Sequence, residues 1–149
     1  MDPLGKSPWF EKGLRFQCTG CGKCCTGPSG YVFLSARDLE QLADHFSLSL
    51  DQFSKQYTRL VDGKYALLDQ PRSDACIFLK EKRCTVYDAR PTQCRTFPWW
   101  LQNLQTAEDW QEAALHCEGI NASDAPVVPK LTIQQECLTH LDNLIEQNF

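Results

Sequence analysis

The stretch Cys18-Thr19-Gly20-Cys21-Gly22-Lys23-Cys24-Cys25 carries four thiols within eight residues. Thiolates are strong ligands for zinc, for iron and for iron–sulfur clusters. Packing of the chain does not require so many cysteines at one place, so the stretch predicts a metal-binding segment. Five more cysteines follow it: Cys76, Cys84, Cys94, Cys117 and Cys137.

The spacing of the first four cysteines is typical of a metal knuckle. Two residues separate Cys18 from Cys21, which lets the chain turn so that both sulfurs reach one ion, and Gly22 relieves the backbone after the turn. Cys24 repeats the two-residue spacing, as in the bacterial ferredoxin run. Cys24 and Cys25 are neighbours whose side chains point apart, so we expect them to reach two metals or two irons of a cluster. Zinc and an iron–sulfur cluster both fit, and the repeated spacing favours the cluster.

Length and charge limit the class of protein. The chain has 149 residues, of which 42% are hydrophobic and 23% charged, and its net charge is −4. This composition predicts one globular domain over 1–149, with the cysteine-cluster region at about 16–119 and a C-terminal helix at about 131–147. No stretch is basic enough to follow a nucleic-acid backbone, so we expect no nucleic-acid partner.

The cellular location follows from the absence of targeting signals. No segment approaches the roughly 20 apolar residues of a membrane helix, and the first 17 residues lack the apolar run of a signal peptide. We therefore expect a cytoplasmic protein without a membrane partner. Thiols stay reduced in the cytosol, which favours metal ligation over disulfide bonds for these nine cysteines.

Two helices are predicted directly after the cysteine stretch. Ser35 with Asp38, and then Ser49 with Gln52, are candidate capping boxes, in which the first side chain caps the helix and the second reaches back to it. Apolar residues follow each box at helical spacing. The predicted helices cover residues near 36–46 and 50–57.

Two hairpins are predicted next. Asp62-Gly63 is a tight-turn dipeptide between two strand-like runs. A second hairpin would place Lys80 opposite Arg83, and therefore Leu79 opposite Cys84 and Cys76 opposite Tyr87. On this register Cys76 and Cys84 would point to opposite faces and belong to different sites.

Three helices are predicted in the remainder of the chain. Pro91 and Pro98 leave room for a short helix that carries Cys94. Thr106 begins a helix that would carry Cys117 on its buried face and stop at Gly119. After a linker over 120–130, a last helix begins near Thr132 with Gln135 completing a capping box. Its predicted apolar stripe contains Ile133, Cys137, Leu141, Leu144 and Ile145.

The predicted elements distinguish eight cysteines that could bind metal from a ninth that we expect in the core. Cys137 lies in the middle of a helix, where a cysteine behaves as a small apolar residue. The other eight lie in loops, knuckles or element ends and form the predicted ligand set: Cys18, Cys21, Cys24, Cys25, Cys76, Cys84, Cys94 and Cys117. For Cys117 a core role is the alternative. Two four-thiolate sites account for the count better than one site with spare thiols.

Charged and imidazole side chains complete the candidate site. Four-thiolate sites carry net negative charge, which Lys23, Arg90 and Arg95 could offset. The histidines His45, His116 and His140 show no ligand spacing, so we expect them at the surface or at its rim, with His116 of interest beside Cys117. The sequence shows no glycine-rich phosphate loop and no defensible Ser-His-Asp set or carboxylate pair, which disfavours an enzyme.

The cysteine pattern resembles the YkgJ-type cysteine-cluster family. The similarity rests on Cys-x-x-Cys-x-x-Cys-Cys, on Arg90-Pro91-x-x-Cys94-Arg95, and on the spacing of the remaining cysteines from about Phe16 to Gly119. The resemblance implies a zinc- or iron-chelating domain that uses the same eight cysteines. A flagellin lysine N-methylase is similar in its cysteine cluster but is a much longer chain.

Three functions follow as hypotheses. The first is a metal-binding protein holding zinc or an iron–sulfur cluster, with a structural, redox or metal-handling role. The second is a cluster-dependent enzyme related to the methylase, and the third is an interaction module whose metal only holds the fold. For all three we predict a small α+β fold, with short helices and one or two β-hairpins around a cysteine-rich metal-binding core.

Overall fold

The computed structural model describes residues 7–18, 32–71, 75–81 and 83–146. These residues divide into two compact units, 7–18 with 96–141 and 32–95 with 142–146. The elements in chain order are β1 (Leu14–Arg15), α1 (Ala36–His45), α2 (Leu50–Tyr57), β2 (Thr58–Val61), β3 (Lys64–Leu67), β4 (Leu79–Lys80), β5 (Arg83–Cys84), α3 (Thr92–Thr96), α4 (Leu101–Leu104), α5 (Ala107–Ala114), β6 (Val127–Val128) and α6 (Lys130–Glu146).

Both predicted capping boxes are present in the unit formed by 32–95 and 142–146. The Ser35 hydroxyl accepts from the Asp38 amide at 3.3 Å, and the Ser35 amide donates to the Asp38 carboxylate at 3.1 Å. Ser49 and Gln52 make the equivalent pair at 3.1 and 2.9 Å. Each pair satisfies amides that the first turn of a helix leaves without a partner. The predicted starts of α1 and α2 are confirmed.

The first predicted hairpin is confirmed as well. Strands β2 and β3 pair antiparallel with Val61 opposite Lys64, and the two turn residues Asp62 and Gly63 have φ values of 51° and 79°. Positive φ at both central residues is what a two-residue type I′ turn requires. Phe33 bridges Ala66 on β3, so the segment before α1 is extended.

Aromatic rings form the centre of the buried cluster in this unit. Phe46 stacks against Phe53, Tyr57 and Phe78 with ring centroids 6.1, 5.1 and 5.6 Å apart. Phe53 is fully buried. The apolar faces of α1 and α2 therefore meet over these rings, which is where amphipathic helices gain most of their stability.

The other unit, formed by 7–18 and 96–141, is built around two stacked tryptophans. Trp99 and Trp110 stack with centroids 5.3 Å apart, and Phe16 meets Trp99 edge-on at 5.6 Å. The Thr106 hydroxyl accepts from the Asp109 amide at 3.1 Å, which confirms the predicted start of α5. Strand β6 pairs with β1, so the segment predicted as a linker over 120–130 contains a strand.

The last helix has nearly the predicted bounds, but its N-terminal cap and the extent of its buried stripe differ from the prediction. It begins at Lys130, with Ile133 donating to the Pro129 carbonyl at 3.1 Å, so the capping box at Thr132 is wrong. Ile133 and Cys137 are fully buried, but Ile145 is 71% exposed and Leu144 is also exposed. The apolar cluster that covers Ile133 reaches along the helix only to Leu141. The buried stripe of α6 therefore ends about one turn before the end that was predicted for it.

The predicted α+β class is confirmed, with two hairpins among the short antiparallel strand pairs. The single domain over 1–149 stays a prediction.

Candidate metal centre

Residues far apart in the sequence bring two predicted ligands near each other in the tryptophan-centred unit. Phe16 bridges Ile120 in antiparallel register, and the Gln17 amide donates to the Gly119 carbonyl at 3.2 Å. Extending this register by one residue sets Cys18 opposite Glu118, beside Cys117. Cys18 is exposed and Cys117 half-buried. Structural zinc sites combine ligands from two separate chain segments, so this antiparallel pairing is compatible with a site that uses both thiols.

The helix predicted to carry Cys117 ends earlier than expected. Helix α5 stops at Ala114, and Cys117 lies in the turn that follows, its amide 3.4 Å from the Ala114 carbonyl. Gly119 therefore does not stop a helix. Its role is close backbone approach, because a Cβ at this position would overlap the Gln17 carbonyl oxygen. The prediction of Cys117 on a helical face is wrong.

Cys84 and Cys76 belong to the second hairpin, and the structure confirms only its tip. Leu79 lies opposite Cys84 and Lys80 opposite Arg83, as predicted. Cys76 does not continue this ladder to Tyr87, but bridges Asp69 instead. The Leu79 amide donates to the Cys76 carbonyl at 2.9 Å, so the chain turns between the two residues.

The register that placed these two thiols on opposite faces is therefore wrong at Cys76, and the predicted separation loses its basis. Alternation of side chains holds only along a continuous strand, and the turn after Cys76 interrupts it. Tyr87 begins a 3₁₀ turn over Tyr87–Ala89 rather than extending β5. Cys76 is buried in the aromatic cluster of its unit, and Cys84 packs against the same cluster.

Cys94 occupies the short helix predicted from the two prolines. Helix α3 begins at Thr92 and ends at Thr96, two residues before Pro98. The Arg95 amide donates to the Pro91 carbonyl at 2.9 Å, which closes the first turn. Cys94 is half-buried in this helix.

Cys137 is confirmed as a core residue. Its side chain has 0% exposure and packs in the cluster of Trp99, Trp110 and Ile133. Burial alone does not distinguish it from Cys76, which is 8% exposed. The difference between these two cysteines lies in their neighbours in sequence, since Cys76 belongs to a loop and hairpin and Cys137 to a long helix.

The structure thus describes five of the eight predicted ligands, in two groups. Cys18 and Cys117 lie in the tryptophan-centred unit, whereas Cys76, Cys84 and Cys94 lie in the unit with the aromatic cluster. Cys21, Cys24 and Cys25 lie outside the described residues. Among the residues that are described, no group of three or more His, Cys, Asp or Glu side chains is arranged to hold a metal ion.

The two arginines beside Cys94 have different surroundings. The Arg90 guanidinium lies over the Tyr87 ring, 3.8 Å from its centroid, and its Nε donates to the Tyr87 carbonyl at 2.9 Å. The attraction between the cation and the aromatic face favours this orientation of the guanidinium. Arg95 is exposed on α3. Lys23 lies outside the described residues.

His140 is the polar residue whose position the sequence did not predict. It is 5% exposed, stacks on Trp100 with centroids 5.3 Å apart, and its Nδ1 has no hydrogen-bond partner among the described residues. Burial lowers the pKa of His140 below its ordinary value, because the charged imidazolium loses its hydration. The prediction of a surface or rim position is wrong. The sequence did contain a sign of this burial, because His140 lies three residues after the core residue Cys137 on the same face of α6.

The cysteine content of the chain defines its class, and a family model identifies its family. A small α+β chain with eight cysteines between residues 18 and 117 has the donor set of a thiolate metal-binding protein. A family model matches residues 17–118, and its description is "CxxCxxCC: Putative zinc- or iron-chelating domain". The chain belongs to this family, so the resemblance predicted from the cysteine pattern is confirmed.

Neither the relative described below nor the solved structures indicate a biological role for this protein. The chain is 33% identical over 95 residues to an uncharacterized protein, MJ0661, of Methanocaldococcus jannaschii. The match covers 62% of this chain and 50% of the relative, so the chain spans about half of that protein's length. No solved structure matches.

One further observation concerns membranes. Within the described ranges, no helix has both the length and the apolar character needed to cross a bilayer.

Proposed function

We propose that this protein binds zinc or an iron–sulfur cluster through eight cysteine thiolates, in a structural, redox or metal-handling role. The proposed ligands are Cys18, Cys21, Cys24, Cys25, Cys76, Cys84, Cys94 and Cys117. The observation that carries the proposal is the distribution of the nine cysteines. Eight lie in the region that matches a zinc- or iron-chelating family, and the ninth, Cys137, lies beyond it and is buried in an apolar core.

The surroundings of the described ligands support this proposal. Cys18 and Cys117 are about a hundred residues apart in sequence, yet the backbone hydrogen bond from Gln17 to Gly119 lies beside both. Cys84 ends a strand of two residues, and Cys94 lies in a helix of five. Elements this short are marginal on their own. Metal ligation would supply the stability that such elements lack.

Two kinds of metal site fit the proposed ligands, an iron–sulfur cluster and a pair of zinc sites. The run Cys18, Cys21, Cys24 has the two-residue spacing of bacterial ferredoxins, which favours an iron–sulfur cluster. Eight thiolates would equally fill two tetrahedral zinc sites, since zinc takes four sulfur ligands. The cytoplasmic location expected from the sequence belongs to the same proposal, because thiols stay reduced there.

Metal and sulfide analysis of the full chain, purified without oxygen, tests the proposal. Brown protein with iron and acid-labile sulfide would identify a cluster and open electron-transfer roles. Colourless protein with about two zinc ions per chain would identify structural thiolate sites. Protein that carries neither metal after purification, and takes up neither when supplied, would overturn the proposal.

Two cysteine variants test the ligand set on the same preparation. Cys94→Ala should lower the metal content, because it removes a proposed ligand. Cys137→Ala is the matched control, since it removes a thiol from an apolar core and should leave the metal content unchanged. Equal metal content in both variants would contradict the assignment of Cys94.

A further inference from the structure

The two capping boxes of α1 and α2 have the same chemistry but different surroundings. Ser49 and Gln52 are exposed, and the hydrogen bonds between them are local. Ser35 and Asp38 are buried, with Asp38 only 3% exposed. A carboxylate is costly to bury unless hydrogen bonds compensate for its lost hydration. The burial of Asp38 therefore indicates that it does more than cap a helix.

The second oxygen of the Asp38 carboxylate binds the start of α3. Oδ1 accepts from the Thr92 amide at 2.9 Å and from the Thr92 hydroxyl at 2.8 Å, while Oδ2 accepts from the Ser35 amide. Charge-assisted hydrogen bonds of this kind are stronger than those between neutral groups. One carboxylate thus joins the first residue of α3 to the first turn of α1, across 54 residues of sequence.

A second hydrogen bond joins the same two segments. The Phe33 amide donates to Gln93 Oε1 at 3.2 Å. Consecutive residues of α3 are therefore each held by the segment around the start of α1. A helix of five residues has little stability of its own to set its position, so these hydrogen bonds help to fix where the following residue, Cys94, lies.

We infer that Asp38 is a positioning residue for metal binding: through Thr92 it holds α3 where the Cys94 thiolate can reach the metal. The inference rests on the proposed function, in which Cys94 is a ligand. Residues that orient metal ligands without touching the metal typically contribute 10- to 100-fold to affinity. Asp38 acts through Thr92, so we expect the lower end, a loss of about 10-fold.

The experiment compares variants of the full chain produced with Zn²⁺ as the probe metal under reducing conditions. Bound zinc is measured while a competing chelator is raised, and far-UV circular dichroism reports the fold. Asp38→Asn puts an amide N–H against one of the donors that Asp38 now accepts from. Thr92→Val keeps the shape of the side chain but removes its hydroxyl. Both variants should release zinc at about tenfold lower chelator concentration.

Two controls separate positioning from general stability. Thr92→Ser retains the hydroxyl and should retain zinc as the wild type does. Gln52→Ala breaks the exposed capping box, which has no hydrogen bond to α3, and should also leave zinc affinity unchanged. If Gln52→Ala releases zinc as readily as Asp38→Asn and Thr92→Val, helix stability accounts for the effect and the inference fails.

Cys94→Ala distinguishes failure of this inference from failure of the proposed function. If Cys94→Ala loses zinc while Thr92→Val and Asp38→Asn bind it as the wild type does, Cys94 is a ligand and the positioning role of Asp38 is wrong. If Cys94→Ala retains all its zinc, the ligand assignment and the positioning role both fail. Should Asp38→Asn not fold, Thr92→Val alone decides between these outcomes.

Discussion

The Gln17 amide donates to the Gly119 carbonyl at 3.2 Å, one residue before Cys18 and two residues after Cys117. The approach is so close that a Cβ at residue 119 would overlap the Gln17 carbonyl oxygen. This backbone contact brings together two proposed ligands that no local element connects. Residue 119 must be a glycine because a side chain would not fit beside Gln17, and not because of its backbone dihedral angles.

Gly119→Ala should therefore weaken both the fold and metal binding. We expect a loss of about 1–3 kcal/mol in the free energy of unfolding, the range found when extra atoms are forced into a packed site. Urea unfolding measures the stability loss, and metal analysis measures the metal per chain. Metal content should fall because the segment of Cys18 is pushed away from that of Cys117.

Gly63→Ala is the matched control for that variant. Gly63 lies at the tip of the β2–β3 turn with φ of 79°, and a Cβ there would meet nothing within 4 Å. Its substitution should cost about 1–2 kcal/mol through the left-handed backbone alone. Metal content should stay at the wild-type level. A Gly119→Ala protein that holds as much metal as Gly63→Ala would contradict the proposed role of the contact.

Metal removal should destabilise the unit that contains Cys76, Cys84 and Cys94. Its β4–β5 ladder has two residue pairs, and α3 has five residues, so these elements depend on contacts from outside themselves. Chelation should expose their amides to hydrogen exchange before those of α1 and α2, which cover the buried aromatic cluster. Exchange measured with and without chelator checks this order. Uniform protection after the metal is gone would show that ligation does not hold these elements.

The stability of the protein should fall as the pH is lowered through about 6.5, the ordinary pKa of histidine. Burial lowers the pKa of His140 in the folded state. Above 6.5 the imidazole is neutral in both states and its contribution is fully present. Below 6.5 the unfolded chain binds a proton that the folded chain does not, so stability is lost until the folded pKa is reached.

Urea unfolding over a pH series tests this dependence. His140→Gln should remove the part of the slope between the folded pKa and 6.5, because glutamine does not titrate. His45→Gln, which changes an exposed histidine, is the control for the loss of one imidazole elsewhere in the chain. If His140→Gln leaves the slope unaltered, another group is responsible for it.

Local chemistry made much of the fold predictable. Capping pairs such as Ser35 with Asp38, and the Asp62-Gly63 turn, depend on residues within three or four positions of each other, so their sequence is sufficient to specify them. The core position of Cys137 followed from helical periodicity in the same way. Three of the wrong predictions concern continuations: the ladder from Cys84 toward Tyr87, the helix from Ala114 toward Cys117, and the stripe toward Ile145. Two others do not: α6 begins before the capping box predicted at Thr132, and His140 is buried.

The sequence by itself determined the number and spacing of the cysteines, the capped starts of α1, α2 and α5, the first hairpin and the family to which the chain belongs. Only the tertiary structure decided that residues 15–17 pair with 119–121, that Asp38 holds Thr92, and that His140 is buried. The physical reason is the range of the interactions. Caps and turns are formed by neighbouring residues, whereas each of these three features is formed between segments whose proximity depends on how the whole chain packs.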